Sequence, residues 1–300
     1  MPQVQIRKIE SYDPAALDAA VKSFLREMPQ SRVNRSKRVL IKPNLLGAYP
    51  PERAVTTHPA VVEALVRYWL EKGKEVWIGD SPGGALNVER VWETCGYNDL
   101  ANRYPVKLVN LSTSGFRELD YEGTKVKISE VFWRCGIIIN VAKYKTHSLT
   151  GFTGGLKNLY GLVPGLIKTD YHRLYPATND FAALLLALYR LTRTRISYSF
   201  IDGILGMDGA GPSAGRVRNF GLLFGSRSIP AMDYTAARLM GFRMGDVPYL
   251  WEALHGDGIL PSRIKVPTSF QDFTLPDVDI RVVKLRKELQ SIKKMARERA

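Results

Sequence analysis

Cysteine and histidine are scarce in this chain of 300 residues, which contains two cysteines and four histidines. Cys95 and Cys135 form no CxxC pair, which argues against a zinc ribbon or an iron–sulfur cluster held by this chain alone. We expect both thiols to lie in the core, because each has hydrophobic neighbours in the sequence. The common cysteine-based metal sites are therefore not predicted.

Long apolar runs are also lacking. No segment approaches the roughly 18 apolar residues that a membrane-spanning helix needs. The first ten residues, MPQVQIRKIE, lack the apolar core of a secretion signal. The sequence therefore predicts a cytoplasmic protein without a membrane partner. Its length fits a single α/β domain over residues 1–283, built as one body or as two unequal lobes.

Acidic residues are outnumbered, with 29 Asp and Glu against 43 Lys and Arg and a net charge of +14. Residues 284–300 carry seven basic residues against two glutamates and are predicted to form a basic helix. A second basic group precedes a predicted strand and contains Arg32, Arg35, Lys37 and Arg38. This charge is typical of a surface that binds nucleic acid or a partner protein. No aromatic-plus-basic RNA-binding motif accompanies it, and an anionic small molecule explains the inner lysines equally well.

Strand and helix signals alternate along the chain, which predicts an α/β fold with a mostly parallel sheet and helices on both faces. The predicted strands cover residues 4–9, 38–41, 75–78, 106–110, 137–139, 196–201, 221–224 and 280–283, with a small β excursion at 121–128. The predicted helices cover residues 14–28, 56–72, 88–97, 180–192 and 231–239. Two glycine-rich segments, 140–165 and 203–215, are predicted to be loops.

Polar residues stand where four of the predicted strands end. Since ligands of such sheets bind outside the carboxyl ends of the strands, we expect these residues to converge on one crevice. They are Lys42 with Asn44, Asp80 with Ser81, Asn140 with Lys143, and Asp202. Asn44 and Asp80 are also suited to capping turns, so a purely structural role stays open for them.

The segment from 140 to 165, NVAKYKTHSLTGFTGGLKNLYGLVPG, holds the most reactive groups. Within it, His147 and Lys157 are the candidate catalytic residues, because an imidazole titrates near neutrality and a lysine beside other cations can become a base or nucleophile. The candidate ligand-binding residues are Lys42, Asn44, His58, Asp80, Ser81, Asn140, Lys143, Lys145, Gly154, Gly155, Asp202 and Asp208. His58 is equally suited to cap the helix that follows it.

Neither the GxGxxG fingerprint nor the GxxxxGK[ST] motif is present, so ordinary dinucleotide or ATP binding is not predicted. A divalent metal has candidate ligands in His147, His172, Asp80 and Asp202, although scattered carboxylates predict no coordination geometry. Asp233 stands early in a predicted helix, where the helix dipole explains it most simply.

The motifs IKPNLL, TTHP, GDSPGG, the 140–165 segment and DGILGMDGAGPSAG, with Asp233 in the following helix, resemble the prokaryotic domain of unknown function 362 family over roughly residues 38–240. Many members carry a ferredoxin-type cysteine cluster, which this chain lacks. The spacing from His147 to Lys157 is also similar to the core motif of nickel-pincer lactate racemase. That resemblance implies a nucleotide-like cofactor tethered by the residue at Lys157, with histidines as ligands or acid–base groups.

We therefore expect an enzyme that binds an anionic or nucleotide-like ligand at the strand ends and carries out isomerase or redox-type chemistry. The alternatives are a nucleic-acid-binding protein that uses the basic tail and a non-catalytic subunit of a redox complex.

Overall fold

The computed structural model describes residues 1–83, 87–175, 177–266, 273, 275 and 277–281. Within them the strands are β1 (Val4–Lys8), β2 (Arg38–Lys42), β3 (Glu75–Asp80), β4 (Val106–Asn110), β5 (Phe116–Tyr121), β6 (Thr124–Ser129), β7 (Ile137–His147), β8 (Gly151–Thr153), β9 (Ile196–Asp208) and β10 (Arg216–Ser226). The helices are α1 (Pro14–Leu25), α2 (Gln30–Arg35), α3 (Pro59–Glu71), α4 (Val88–Thr94), α5 (Tyr97–Arg103), α6 (Val131–Arg134), α7 (Gly155–Asn158), α8 (Gly165–Leu174), α9 (Thr178–Thr192), α10 (Ile229–Leu239) and α11 (Pro248–Gly256).

The main sheet has the strand order β1-β10-β9-β7-β2-β3-β4, and β8 pairs with β7. The five strands β9, β7, β2, β3 and β4 run parallel. Strands β1, β10 and β8 are antiparallel to their neighbours. The prediction of a mostly parallel α/β sheet is therefore confirmed.

Helices cover both faces of this sheet, because successive side chains of each strand alternate between two hydrophobic cores. Leu40 and Ile138 contribute to the core that contains side chains of α7, α9, α10 and α11. Val39 and Ile137 contribute to the other core, which contains side chains of α1, α3, α4 and α5. Continuous runs of Val, Ile and Leu in the central strands follow from this two-sided burial.

The prediction of a loop beginning at Asn140 is wrong, because β7 continues to His147 and its residues are buried as far as Thr146. Strand β9 pairs with this extension as far as Lys145, and β8 folds back against its last three residues. The lysines at 143 and 145 are typical of a loop in sequence terms. They fit inside the sheet because their ammonium groups find acceptors there.

The second predicted loop is also shorter than expected, since β9 extends to Asp208 and pairs with β10 over most of its length. The predicted helix at 88–97 is divided into α4 and α5 at Gly96, which adopts a φ of 76°. Ile280 lies in none of the described strands. The rest of the predicted strand at 280–283, apart from Arg281, and the whole basic tail at 284–300 lie outside the described residues.

Among the described residues, no helix combines the length and the apolar character needed to cross a membrane.

Candidate functional site

The order of the strands identifies one position in the sheet. From β2 the chain proceeds through β3 to β4 on one side, and then through β7 to β9 on the other side. The connections therefore reverse direction between β2 and β7, where Lys42 stands opposite Asn140. In open parallel sheets a ligand crevice forms at the carboxyl ends of the strands at such a reversal.

A buried ion pair joins the ends of β2 and β3. The Lys42 ammonium group donates to Asp80 at 2.8 Å and to the Pro43 carbonyl at 3.0 Å. The Asp80 carboxylate also accepts the amides of Leu45 and Ser81, at 2.7 and 2.9 Å. These four contacts hold the turns after both strands around one charge pair.

Three further lysines contribute charge to this pair. Lys145 on β7 donates to the Val55 carbonyl, and Lys168 on α8 donates to the Ser81 carbonyl. Lys157 on α7 lies over the rings of Tyr160 and Phe181, with its nitrogen 4.9 and 5.4 Å from their centroids. The same carboxylate of Asp80 raises the pKa of each of these lysines, so they share its neighbourhood. We call Lys42, Lys145, Lys157, Lys168 and Asp80 the lysine cluster.

Burial lowers the pKa of every lysine in the cluster, and neighbouring lysines lower the pKa of Lys145, Lys157 and Lys168 further. Burial is the larger cause, and it lowers the pKa of Lys157 to about 8 and that of Lys168 to about 7. The charge of Lys42 lowers both further. Lys145 has its pKa lowered well below the usual value by burial and by Lys157. Lys157 and Lys168 therefore lose their charge near neutral pH unless an anion stabilises it.

A second charge pair lies one strand further along the sheet. Lys143 stands opposite Asp202 in the register of β7 and β9, and its ammonium group donates to that carboxylate at 2.7 Å. The Tyr12 hydroxyl donates to Asp202 at 3.0 Å and accepts from Lys143 at 3.1 Å. The backbone amide of His58 also donates to Asp202, at 2.9 Å. Asp202 is thereby saturated by the protein itself.

The His58 side chain acts as the cap of α3, since its Nδ1 accepts the amide of Ala60 at 3.2 Å. Its ring stacks on Tyr12 with centroids 3.6 Å apart. Burial lowers the pKa of His58 to about 4, an effect that Asp202 opposes. The imidazole is consequently neutral at physiological pH.

A chain of asparagine side chains crosses the carboxyl ends of β2 and β7. Asn44 donates to Asn158 at 3.1 Å, and Asn158 donates to Asn140 at 2.8 Å. Asn140 in turn donates to the Gly155 carbonyl at 3.0 Å. Within the described structure, the buried Oδ1 of Asn44 receives no hydrogen bond.

The amides after Gly154 are occupied by a residue from a distant part of the chain. The Asp233 carboxylate accepts the amides of Gly155 and Leu156 at 2.6 and 2.8 Å. Burial raises the pKa of Asp233 to about 7, while these two amides lower it. Asp233 therefore holds the start of α7, rather than serving only the dipole of its own helix. Gly155 offers this amide to the protein and not to a ligand.

The remaining predicted residues have local partners. The Nδ1 atom of His147 accepts the amides of Leu149 and Thr150, at 3.1 and 3.3 Å, and so shapes the turn between β7 and β8. The Ser81 hydroxyl bonds that of Ser112 at 2.8 Å. Asp208 pairs with Arg216 and Arg218, which both belong to β10. His172 belongs to α8, but its side chain lies outside what the structure describes.

In the described part of the chain, no three His, Cys, Asp or Glu side chains lie close enough together to hold a metal ion. Asp80 and Asp202, two of the predicted ligands, each bind a lysine and backbone amides instead. The donor set that the structure assembles thus favours binding of an anion over binding of a cation.

An open cavity of about 300 Å³ lies at α11 and is lined by Gly245, Pro248, Trp251 and Glu252. None of the lysine cluster lines it. Glu252 is the only charged residue of this lining, so the cavity is a weaker candidate site than the lysine cluster.

The family model described as Domain of unknown function (DUF362) matches residues 39–238. The chain belongs to this family. The matched range contains every member of the lysine cluster as well as Asp202 and Asp233. The chain is also 29% identical over 250 residues to the thylakoid-associated protein sll1697 of Synechocystis, a match that covers 82% of this chain and 76% of that relative.

Lys168, Asn158 and Tyr12 are the site residues that sequence reasoning missed. Lys168 lies in the segment GLIKTDYHRL, where nothing separates it from an ordinary surface lysine. Tyr12 precedes a predicted helix by two residues, and only the sheet brings it to Asp202. Asn158 directly follows Lys157 in the glycine-rich motif, and that position was an available signal.

Proposed function

We propose that this member of the DUF362 family is an enzyme that binds an anionic, nucleotide-like ligand at the carboxyl ends of β2, β3 and β7. One observation carries the proposal: Lys42 pairs with Asp80, and the same carboxylate is the acidic group whose charge acts on Lys145, Lys157 and Lys168. When all are ionised, this leaves a surplus of three positive charges. Lys42, Lys145 and Lys168 are almost completely buried, with at most 6% of their surface exposed.

The energetic cost of this surplus supports a ligand of opposite charge. Removing an ionised ammonium from water costs several kcal/mol per ion unless a counter-charge is near. A carbonyl acceptor, which Lys145 and Lys168 have, satisfies one N–H but supplies no negative charge. A phosphate or carboxylate group placed among these amines would supply both charge and acceptors.

A second feature favours a ligand with hydroxyl or amide donors in addition to its charge. The buried Oδ1 of Asn44 is an acceptor at the same strand end, and it receives no donor from the described residues. An unsatisfied buried acceptor costs about 1–3 kcal/mol, which a donor on the ligand would recover. A sugar hydroxyl or a base amine of a nucleotide-like ligand provides such a donor.

The groups near the cluster favour isomerase or redox-type chemistry over hydrolysis through a covalent serine or cysteine. Burial raises the pKa of Cys135 to about 12 and also raises that of Cys95, so neither thiol is an activated nucleophile. The Ser81 hydroxyl has another serine as its partner and no histidine. Lys157, with its lowered pKa, is the available base or nucleophile.

The resemblance to nickel-pincer lactate racemase agrees with one part of this proposal and not with another. A nucleotide-like anion fits the lysine cluster, and Lys157 stands where that family has its tethering lysine. The described residues provide no group of ligands for nickel. We therefore derive no step through a metal.

Native mass spectrometry and metal analysis of the purified protein test this proposal. A bound anion that is present in the wild type, retained in Lys22→Ala and lost in Lys157→Ala would support it. Lys22 is exposed on α1, so its replacement controls for loss of one charge. If no anion binds, even after addition of pyrophosphate or nucleotides, and Lys157→Ala alters only stability, the proposal is wrong.

Partners and location remain part of the proposal. We expect a cytoplasmic protein, although the relative in Synechocystis is named for its association with thylakoids, and cell fractionation decides between these locations. Oligonucleotide binding through residues 284–300 is tested by its salt dependence and by deleting those residues. A partner that co-purifies in fixed ratio would instead favour a subunit of a redox complex.

A further inference from the structure

Lys157 differs from the other lysines at the strand ends. Lys42 and Lys143 donate to carboxylates, and Lys145 and Lys168 donate to backbone carbonyls. Within the described structure, Lys157 alone among these five has no hydrogen-bond acceptor. It is also the one of the five that is only half-buried.

The surroundings of Lys157 disfavour its protonated form. The rings of Tyr160 and Phe181 lie 4.9 and 5.4 Å from its nitrogen, and because a ring face attracts a cation they offset only part of the cost of burying the ammonium group. The charged groups that face it come from β2, β3, β7 and α8, and they are Lys42, Asp80, Lys145 and Lys168. Three of these four are cations. A lysine among cations and apolar surface is the usual form of an amine nucleophile.

The backbone that carries Lys157 is firmly held. The carboxylate of Asp233 accepts the amides of Gly155 and Leu156 in α7, the helix that carries Lys157. The side chain of Asn158, the residue after Lys157, donates to Asn140. The start of the Lys157 side chain is therefore fixed, and its charge acts on those of Lys145 and Lys168. An anionic group bound by those two lysines would bring the rest of the same molecule to Lys157.

We propose that the substrate is an anionic aldehyde or ketone, and that Lys157 forms an imine with its carbonyl carbon while Lys145 and Lys168 bind its anionic group. This inference rests on the anion site of the proposed function and adds the class of substrate. The neutral amine attacks the carbonyl carbon to give a carbinolamine. Loss of one water molecule, which carries away the carbonyl oxygen together with both protons of the amine, gives the neutral imine, and uptake of one proton from the solvent then gives the protonated imine.

The imine explains why one amine of the cluster lacks an acceptor. A protonated imine withdraws electrons from the adjacent carbon, so that a proton on that carbon becomes acidic and can be moved. Such proton transfer is isomerase chemistry. The role of Lys168 differs, because its ammonium group is directed to the Ser81 carbonyl and serves to hold charge.

Reductive trapping in the full-length wild-type protein tests the inference. The protein is incubated with glyoxylate or glycolaldehyde phosphate and cyanoborohydride, and modified lysines are located by peptide mapping. We expect Lys157 to be modified about 10-fold or more faster than exposed Lys22, because a lowered pKa leaves more neutral amine. Acetaldehyde, which has no charge, should show a smaller preference for Lys157.

Two variants separate the roles of the lysines. Lys157→Arg should lose the modification at that position, with modification of Lys22 unchanged as an internal measure. Lys168→Met should slow trapping of the two anionic aldehydes while that of acetaldehyde changes little. The anionic probe with the larger ratio of modification at Lys157 to modification at Lys22 shows whether a carboxylate or a phosphate is the preferred group.

Modification of Lys157 no faster than that of Lys22 in the folded wild-type protein would overturn the inference. Equal preference for charged and neutral aldehydes would overturn the assignment of an anionic substrate. Binding of pyrophosphate measured on the same sample keeps the two proposals apart, because anion binding without trapping at Lys157 rejects the imine and retains the anion site.

Discussion

The ammonium group of Lys143 and the carboxylate of Asp202 lie 2.7 Å apart, and neither side chain has exposed surface. Two residues further along β7, Lys145 is equally buried but donates to a backbone carbonyl and has no carboxylate of its own. Strand β7 thus carries two buried lysines, of which Lys143 pairs with a carboxylate and Lys145 does not. The first stabilises the fold, and the second belongs to the anion site that we propose.

Asp202→Asn should destabilise the protein by about 3–5 kcal/mol, because it leaves the charge of Lys143 buried without a partner. Urea unfolding followed by circular dichroism measures this change. The matched control is Asp18→Asn, which removes the partly exposed partner of Arg67 and should cost about 1 kcal/mol or less. Equal effects of the two substitutions would contradict the structure.

Gly161→Ala should separate the Lys42–Asp80 pair. A Cβ atom at this position would lie 2.0 Å from an Asp80 oxygen and 2.3 Å from the Lys42 nitrogen, both held by buried contacts. We expect loss of stability by several kcal/mol, on the order of breaking a buried ion pair, together with loss of anion binding. Gly245→Ala is the control, since its Cβ would meet nothing within 4 Å. Thermal unfolding of both variants measures the difference.

His58→Asn should flatten the pH dependence of stability between about pH 4 and 6.5. Burial lowers the pKa of His58 from 6.5 to about 4, so the folded state binds fewer protons than the unfolded state in this range. Its contribution is therefore present above pH 6.5 and is lost as the pH falls through 4. Asparagine keeps an acceptor for capping α3 but does not titrate. A variant whose stability falls with pH as steeply as that of the wild type would refute this assignment.

Asp233→Asn should change the pH dependence of stability in the direction opposite to that of His58→Asn. Burial raises the pKa of this carboxyl group from 3.8 to about 7, so the folded state holds a proton that the unfolded state releases. The resulting stabilisation is present below pH 3.8 and is lost as the pH rises through 7. We expect the wild type to lose stability relative to Asp233→Asn over this range, as measured by unfolding at several pH values. Parallel curves for the two proteins would be inconsistent with a pKa of Asp233 that burial raises.

The strands and the residues at their ends were predictable because parallel strands are apolar throughout and end abruptly in polar residues. Lys42 and Asp80 illustrate this, since each follows a run of buried Val, Ile, Leu or Trp and the two meet in the structure. The continuation of β7 to His147 was not predictable, because a lysine is expected inside a buried strand only if a hydrogen-bond acceptor lies next to its ammonium group. Those acceptors come from Val55 and Asp202, which are remote in sequence.

The contacts of Asp233 and Lys168 also depend on the complete fold. Asp233 is 78 residues from Gly155 along the chain, so no local pattern connects its carboxylate with those amides. Lys168 is 87 residues from Ser81, and its helix has the composition of an ordinary surface helix. Long-range packing decides the partners of both.

The most direct test of the central claim is calorimetric titration of the protein with pyrophosphate at pH 8, in two buffers of different ionisation enthalpy. Because a bound anion raises the pKa values of Lys157 and Lys168 from about 8 and 7, we predict binding with net uptake of protons. Lys168→Met should weaken binding by about 10- to 100-fold, as expected for loss of a charged hydrogen bond, while Lys22→Met should not. Absence of binding, or binding that takes up no protons and is unchanged in Lys168→Met, would contradict the account.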